Sequence, residues 1–316
     1  MKKLSSLLLI VLSCLFMIGC TSNDSIKIGI TQISEHPSLD SATEGFKQAF
    51  KDEKMEVTFD EKIAQGDQNN SMLIASNFVT DQVDLIFANS TPSALTAYNA
   101  TKEIPILFTS VSDPIGASLV NEEGFGTNSS GTIDLHPEAI SKTIEFISTY
   151  FPNATIGLVY NAGEPNSTMQ IDLVKQAVKG TGLSTIETTV ATSADVKAAA
   201  DSLVDRVDVF YIVTDNTVVS GLSALIDICQ TKKIPLFVGE LDSVNIGGFA
   251  AFGFSYYDIG YQTGQMAISI LKGEKKINEI PVQYPNELKL VINKEASEKM
   301  GIEWNKEWET LGEVLQ

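Results

Sequence analysis

Residues 83–108 read VDLIFANSTPSALTAYNATKEIPILF, and this segment contains two apolar runs separated by a helical pattern. Residues 83–88 and 104–108 are short, apolar and rich in β-branched and aromatic side chains, as buried strands are. Residues 92–100 have helical spacing, and a proline stands in the first turn, where helices tolerate it. A strand, a helix and a strand in this order predict a parallel sheet that is covered by helices.

The same alternation continues on both sides of this segment and begins again after Gly131. The pattern predicts further strands at 26–30, 55–59, 154–160, 183–187, 207–213, 234–238 and 288–292. It predicts helices at 39–50, 71–79, 138–150, 167–178, 196–204, 218–229 and 256–271. We therefore expect an α/β protein with two doubly wound, Rossmann-like parallel sheets.

The length and the net charge of the chain limit the number of domains and the kinds of binding partner. The chain has 316 residues, which is enough for two domains of roughly 150 residues each. Its 22 Lys and Arg against 40 Asp and Glu give a net charge of −18. Such a surface repels phosphate groups, so the sequence predicts no nucleic-acid partner and no attraction to anionic lipid headgroups.

The residues needed for metal binding and catalysis are scarce. The chain has two histidines, His36 and His136, and three cysteines, so we expect neither a metal site of the His/Cys type nor a cofactor. It contains no nucleophile elbow and no phosphate-binding loop, which argues against an enzyme. Arg206 is the single arginine, so a ligand carboxylate would have to be met by hydroxyls, backbone N–H groups or lysines.

The N-terminus has the pattern of an export signal. Lys2 and Lys3 precede an apolar run at 7–18, which is too short for a membrane span. The ending Met17-Ile-Gly-Cys20 resembles the bacterial lipobox, although the family usually has Leu where Met17 stands. The resemblance implies a signal peptide at 1–19, a diacylglycerol on Cys20 and a polar tether at 20–25. A plain signal peptide with an incidental cysteine is the alternative.

Several motifs resemble a known family. They are His36-Pro-Ser-Leu-Asp40, Ala64-Gln-Gly-Asp67, Ser90-Thr-Pro-Ser-Ala94, Val111-Ser-Asp-Pro-Ile-Gly-Ala117 and Ser255-Tyr-Tyr-Asp-Ile-Gly260. With them the chain resembles the type I periplasmic-binding-protein fold, and within it the substrate-binding lipoproteins of ABC transporters in the tryptophan and tyrosine receptor branch. The resemblance implies two lobes joined by a multi-strand hinge. Residues 25–133 with 254–281 would form one lobe, and 134–253 with 282–316 the other.

Polar side chains at the predicted strand ends form the candidate site, because ligands of parallel sheets bind at the carboxyl ends of the strands. Ser90 and Thr91 precede a helix whose free N–H groups could hold a ligand carboxylate, and Ser110 ends the next strand. Capping of that helix is the alternative role for Ser90 or Thr91. His36 could line the cleft or make a structural hydrogen bond.

The second half of the chain supplies acidic and amide side chains at equivalent places. Three carboxylates, Glu164, Asp215 and Glu240, could pair with a ligand ammonium, which needs such a partner when it is desolvated. An N-cap role is the alternative for Asp215. Neutral hydrogen bonds would come from Asn166, Ser167 and Asn216.

These features together predict a receptor that closes two lobes around a small zwitterion, namely an amino acid, with the aromatic amino acids among the candidates. The resemblance implies a location on the extracytoplasmic face of the membrane, a lipid anchor on Cys20 and an ABC permease as partner. Two alternatives stay open: a receptor for nucleosides or other neutral solutes, and a sensing lipoprotein that presents its closed form to a signalling partner.

Overall fold

The computed structural model describes residues 25–285 and 287–316. The predicted signal peptide and Cys20 lie outside these residues. Within the described ranges, every helix is too short or too polar to cross a membrane.

Five parallel strands form the first sheet in the order β2-β1-β3-β4-β5. They are β1 (Lys27–Gln32), β2 (Thr58–Ile63), β3 (Leu85–Asn89), β4 (Ile106–Val111) and β5 (Ser129–Ile133). The helices α1 (Pro37–Asp52), α2 (Gln68–Thr80) and α3 (Thr91–Ala100) connect the first four strands. Strands β3 and β4 are buried at every residue, as expected where helices cover both faces of a parallel sheet.

Seven strands form the second sheet in the order β12-β11-β10-β9-β8-β6-β7. They are β6 (Thr155–Tyr160), β7 (Ser184–Thr189), β8 (Val209–Ile212), β9 (Leu236–Val238), β10 (Ala250–Gly253), β11 (Lys289–Asn293) and β12 (Glu313–Leu315). Its helices are α4 (Ala139–Tyr150), α5 (Pro165–Ala177), α6 (Val196–Asp201), α7 (Asn216–Ser220), α8 (Leu222–Lys232), α9 (Leu241–Asn245), α11 (Lys294–Lys299) and α12 (Trp308–Leu311). Only the β10–β11 pair is antiparallel among the paired strands that are described.

One long helix, α10 (Tyr256–Leu271), returns to the first sheet and packs along α1. Glycines allow this close contact, because a Cβ at Gly260 would lie 1.9 Å from the carbonyl oxygen of Ala42. We call the first sheet with α1, α2, α3 and α10 the first lobe, and the second sheet with the remaining helices the second lobe. The chain therefore passes between the lobes after β5, before α10 and again after α10.

The predicted class, two helix-covered sheets that are mainly parallel, is confirmed, but several elements differ from the sequence-based prediction. The short elements β10, β12, α9, α11 and α12 were not predicted. The strand predicted at 55–59 begins at Thr58, because Lys54 adopts a left-handed φ of 55° and Met55 N–H still bonds to Phe50 at the end of α1. The helix predicted at 218–229 is two helices, α7 and α8, separated at Gly221.

Strand β5 was not predicted, because its sequence, Ser129-Ser-Gly-Thr-Ile133, lacks an apolar run. Its hydroxyls are buried but satisfied: Ser129 Oγ donates to the Leu119 carbonyl at 2.5 Å and Ser130 Oγ to the Ile280 carbonyl at 2.7 Å. Thr132 Oγ1 lies 2.9 Å from Thr263 Oγ1 of α10. Hydrogen bonds to neighbouring elements thus take the place of apolar burial in this strand.

Candidate ligand-binding site

The carboxyl ends of both sheets face each other, and side chains of the two lobes are in direct contact there. Ser38 Oγ donates to Glu240 Oε2 at 2.5 Å, and Gln170 Nε2 donates to Ser112 Oγ at 3.2 Å. Near them, His36 Nε2 lies 3.5 Å from Asn216 Oδ1. All six residues are buried. The lobes are therefore closed over the cleft between them.

The hydroxyls predicted for the first-lobe wall of this cleft are buried and have no partner among the described residues. Ser90 Oγ, Thr91 Oγ1 and Ser110 Oγ make no hydrogen bond within the described part of the chain. Ser90 stands at the N-cap position of α3 but its side chain does not cap the helix. For Ser90 the capping alternative is therefore wrong. Unpaired buried hydroxyls are costly, which is the usual mark of groups kept for a ligand.

Strained backbone positions two of these hydroxyls. Ser90 has φ 88° and ψ 163°, a combination that is almost confined to glycine. Ser110 has φ 58° and lies where the register between β4 and β5 shifts, between Phe108 and Val111. Non-glycine residues hold such conformations at a cost of about 1–3 kcal/mol each. Strain of this kind concentrates at binding and catalytic sites, and here it lies directly beneath the unpaired hydroxyls.

Glu164 of the second lobe is held by a dense set of donors. Its Oε1 accepts from Thr217 N at 3.0 Å and from Thr217 Oγ1 at 2.7 Å. Its Oε2 accepts from Asn216 N at 3.2 Å and from Asn216 Nδ2 at 2.5 Å. Glu164 therefore ties the start of α5 to the start of α7, and all these bonds lie within the second lobe.

Asp215 is fully buried and caps α7, as the alternative interpretation of the sequence expected. Its Oδ2 accepts from Asn161 N at 2.6 Å and its Oδ1 from Val218 N at 2.7 Å. Burial and the nearby charge of Glu164 raise the pKa of Asp215 to about 7. Both carboxylate oxygens thus bind backbone N–H groups at the floor of the cleft.

Glu240 lies at the contact between the lobes. Ser38 of the first lobe and Ser243 of the second, at 3.2 Å, both donate to Oε2, so neither hydroxyl engages Oε1. The side chain is 2% exposed. Burial raises the pKa of Glu240 to about 7, because a charged carboxylate is poorly solvated there.

The neutral candidates of the second lobe are also buried at the cleft. Asn166 Nδ2 donates to the Thr214 carbonyl at 3.0 Å, while its Oδ1 has no partner in the described chain. Ser167 and Asn216 lie beside it, at the starts of α5 and α7. Because Nδ2 points to Thr214, the amide oxygen Oδ1 of Asn166 is left as an available acceptor on the second-lobe side of the cleft.

The two walls have opposite electrostatic character. The first-lobe wall presents neutral hydroxyls at the N-terminus of α3, a ten-residue helix with a partial positive charge at that end. The second-lobe wall presents the carboxyl groups of Glu164, Asp215 and Glu240. The buried polar residues of the described chain include no lysine or arginine that could neutralise them. The cleft can therefore bind an anionic group on one side and a cationic group on the other.

Several residues at the cleft were not predicted from the sequence. Three buried residues bridge the lobes: Ser38 in the first turn of α1, Gln170 in the second turn of α5 and Ser112 just past the end of β4. Gln170 also donates to Thr214 Oγ1 at 2.5 Å. Because these contacts depend on how the lobes meet, only the strand-end position of Ser112 offered a signal in the sequence.

Other sequence-based interpretations concern residues with local roles. Asp113 accepts from Gly116 N at 2.8 Å and His136 Nδ1 accepts from Glu138 N at 3.2 Å, so both stabilise local turns. Cys229 is buried and forms no disulfide among the described residues, and burial raises its pKa to about 12, so the thiol is unreactive. In the described ranges no group of three or more His, Cys, Asp or Glu residues is arranged to hold a metal ion.

A cavity of about 620 Å³ opens at the edge of the cleft, between the lobes. Ser34 and Asp67 of the first lobe and Ser193 and Thr217 of the second line it. Ser34 Oγ donates to the Asn216 carbonyl at 3.4 Å, so this polar opening lies beside the buried site.

The chain matches a protein-family model and several known proteins over most of its length. Residues 27–311 match the model described as ABC transporter substrate binding protein. A tyrosine-binding protein of Clostridioides difficile strain R20291 is 39% identical, and the match covers 93% of this chain and 91% of that protein.

Two solved structures clarify the arrangement of the lobes. An ABC domain of Streptococcus pneumoniae in complex with L-Trp is similar with a TM-score of 0.86 at 29% identity, over 92% of this chain and 100% of that one. The ligand-free, open structure of a substrate-binding protein with adhesive properties from Clostridium difficile has 38% identity but a TM-score of 0.66, over 92% and 99%. The greater likeness to the ligand-bound structure despite the lower identity agrees with the closed lobes seen here.

Proposed function

Because this chain belongs to the family of ABC transporter substrate-binding proteins, we propose that it captures an aromatic amino acid by closing its two lobes. The observation that carries the proposal is the opposite chemistry of the two cleft walls. Unpaired hydroxyls and a helix N-terminus suit a carboxylate, and buried carboxyl groups suit an ammonium. The tyrosine-binding relative and the L-Trp complex support an aromatic side chain.

In this proposal the first lobe binds the ligand carboxylate. Ser90, Thr91 and Ser110 each have a buried hydroxyl with no partner in the described chain, and they can donate to it. The chain needs no arginine for this task, which agrees with its single Arg206. The strained backbone at Ser90 and Ser110 holds the hydroxyls in place before the ligand arrives, which lowers the entropic cost of binding.

The second lobe binds the ligand ammonium. Asn166 Oδ1 is an acceptor without a partner in the described chain, and Glu240 has an oxygen that Ser38 and Ser243 leave unengaged. Asp215 and Glu164 use their oxygens within the second lobe, so they act mainly through their charge. Ser167 and Asn216 support these groups at the starts of α5 and α7.

The lobes in this proposal comprise residues 25–133 with 254–281 and residues 134–253 with 282–316. Closure around the ligand would present a surface to an ABC permease, and the energy for transport would come from a separate ATPase. A diacylglycerol on Cys20 would hold the protein on the extracytoplasmic face of the membrane. We propose ligand capture rather than catalysis, because the family model that the chain matches describes substrate-binding proteins.

Calorimetry on the chain without its first 19 residues tests the proposal. We expect L-tyrosine or L-tryptophan to bind with a Kd of about 1 μM or below, whereas their N-acetyl and methyl-ester derivatives bind at least a hundredfold more weakly. Each derivative removes one of the two charges that the cleft walls are proposed to bind. Binding of nucleosides with no response to any amino acid would refute the proposal and favour a neutral-solute receptor.

A further inference from the structure

His36 lies at the contact between the lobes, and one nitrogen of its imidazole ring has no hydrogen-bond partner among the residues that the structure describes. The side chain is 4% exposed. Its Nε2 lies 3.5 Å from Asn216 Oδ1 of the second lobe, so the ring reaches across the cleft. Its Nδ1 is buried and makes no hydrogen bond within the described residues.

The surrounding hydrogen bonds determine which nitrogen carries the proton. Asn216 Nδ2 donates to Glu164 Oε2 at 2.5 Å, and this contact fixes the orientation of the amide. The oxygen Oδ1 is then the atom turned toward His36, and an amide oxygen can only accept. Nε2 must therefore carry the hydrogen. Burial lowers the pKa of His36 to about 4, so the ring is neutral near pH 7 and Nδ1 presents a lone pair.

No group of the described chain supplies a donor to this lone pair. His36 occupies the N-cap position of α1, but its side chain makes no capping hydrogen bond. The ionisable groups that act on the ring are the carboxyls of Asp40, Glu164 and Asp242, and ionised carboxylates accept rather than donate. A buried acceptor left unpaired destabilises the closed protein, so a donor from the ligand would relieve that cost.

We infer that His36 Nδ1 accepts a hydrogen bond from the side chain of the bound amino acid, namely a phenol O–H or an indole N–H. The inference rests on the proposed function. The ligand carboxylate has no hydrogen to donate. In that proposal Asn166 and Glu240 bind two of the three ammonium hydrogens, so the third ammonium hydrogen and the ligand side chain are the two donors that could reach Nδ1, and the paired ligands below distinguish them. His36 thus selects aromatic amino acids with a side-chain donor over phenylalanine.

Paired ligands test the inference on the unmodified protein. L-Tyrosine and L-phenylalanine differ by one hydroxyl, and L-tryptophan and β-(3-benzothienyl)alanine differ by replacement of the indole N–H with sulfur. We expect the donor-bearing member of the preferred pair to bind about tenfold more tightly, as one buried hydrogen bond predicts. Equal affinities within both pairs would overturn the inference. Failure of every amino acid to bind would instead refute the proposed function.

Two matched variants then assign the preference to Nδ1. In His36→Gln the amide reaches the place of Nε2 and can keep the contact with Asn216, but the acceptor at Nδ1 is lost. In His36→Asn the shorter amide can place its oxygen near the position of Nδ1. We expect His36→Gln to reduce the ratio between the affinities for the donor-bearing ligand and for phenylalanine from about tenfold to about twofold or less. His36→Asn should retain at least part of the preference.

Equal weakening of tyrosine and phenylalanine in His36→Gln would show a general structural role and overturn the inference. The wild-type ring offers a further measurement that needs no variant. The chain has two histidines, so the ¹⁵N spectrum of their side chains is simple to assign. Saturation with the donor-bearing ligand should shift the unprotonated Nδ1 resonance of His36, and phenylalanine should shift it much less. The same shift with both ligands would contradict the assignment.

Discussion

Ser38 Oγ and Glu240 Oε2 lie 2.5 Å apart, although the two residues belong to different lobes. Ser38 is in the first turn of α1 and Glu240 precedes α9. The hydrogen bond exists only while the lobes are closed. The groups that act electrostatically on Glu240 and its surroundings are Asp242 on its own helix and Asp134 and Tyr256 at the crossings between the lobes. The carboxylate charges of Asp242 and Asp134 disfavour ionisation of Glu240, whereas Tyr256 stays neutral because burial raises its pKa well above the usual value.

Glu240 should make the stability of the unliganded protein depend on pH. Its pKa rises from 4.5 to about 7 in the closed protein, so the folded form binds the proton more tightly than the unfolded form. Its contribution to stability is therefore fully present below pH 4.5 and is lost as the pH rises through about 7. We expect the melting temperature to fall between pH 5 and pH 8, and Glu240→Gln to reduce this fall by roughly 5 °C.

The glutamine variant is a suitable comparison because its amide oxygen can still accept from Ser38. Asp134 and Asp215 also have raised pKa values, of about 6 and about 7, and burial is the main cause for both. They remain in the variant, so the difference between the two melting curves isolates Glu240. Parallel curves for wild type and variant across this pH range would contradict the prediction.

Ser90→Gly should stabilise the unliganded protein and weaken ligand binding at the same time. The φ of 88° and ψ of 163° at Ser90 suit glycine, so the substitution removes strain of about 1–3 kcal/mol. It also removes the unpaired hydroxyl, and we expect the Kd for the amino acid to rise about tenfold. Thermal melting without ligand and calorimetry with ligand measure the two effects.

Ser90→Ala separates the effect of the hydroxyl from the effect of the backbone strain, since it removes the hydroxyl but keeps a Cβ in the strained conformation. We expect it to weaken binding as much as the glycine variant without the same gain in stability. An unchanged Kd in both variants would exclude Ser90 from the carboxylate site.

The sequence predicted what depends on local pattern. Buried parallel strands are apolar runs, so β3 and β4 and the helix between them were recognisable, and the hydroxyls of Ser90 and Ser110 were placed at strand ends. Strand β5 was not predicted because its buried side chains are largely hydroxyls, which are satisfied by hydrogen bonds to other elements, and not an apolar run. The contacts of Ser38 and Gln170 depend on the meeting of two lobes. The strained φ of Ser90 depends on the surrounding fold and not on its residue type.

Asp215→Asn should reduce both stability and affinity. Asp215 accepts from two backbone N–H groups, those of Asn161 and Val218, and an amide has one oxygen for them. The loss should cost about 1–3 kcal/mol of the free energy of unfolding and should weaken amino-acid binding more than tenfold. Asp208→Asn is the control, because exposed Asp208 accepts from Thr155 N at 2.7 Å at the opposite end of β6. Unchanged affinity in Asp215→Asn would remove this carboxylate from the ligand site.

Cys20→Ser should release the protein from membranes. The proposed diacylglycerol needs the thiol of Cys20, and no helix of the described chain could replace the anchor by crossing the bilayer. Fractionation of expressing bacteria followed by immunoblotting measures the distribution. Cys229→Ser is the control, because that thiol is buried in the second lobe and should not affect localisation. Retention of Cys20→Ser in the membrane fraction would contradict the lipid anchor.

Gln170→Ala should shift the unliganded protein toward the open state. Gln170 lies on α5 of the second lobe, is 2% exposed, and donates to Ser112 Oγ of the first lobe. Ser112 donates in turn to Asp134 at 2.7 Å, and Asp134 accepts from Tyr256 at 3.1 Å, so the chain of hydrogen bonds runs from the cleft to two of the crossings between the lobes. Removing the Gln170 amide destabilises the closed state, because Ser112 then loses its only contact across the cleft in the described chain.

Small-angle X-ray scattering without ligand should therefore give Gln170→Ala a larger radius of gyration than wild type, and saturating ligand should restore the wild-type value. Closing the lobes would then consume part of the binding free energy, so the Kd should rise roughly three- to tenfold. Gln176→Ala is the matched control, because Gln176 is exposed on the same helix and should change neither quantity. An unchanged radius in Gln170→Ala combined with weaker binding would mean that Gln170 acts on the ligand site rather than on closure.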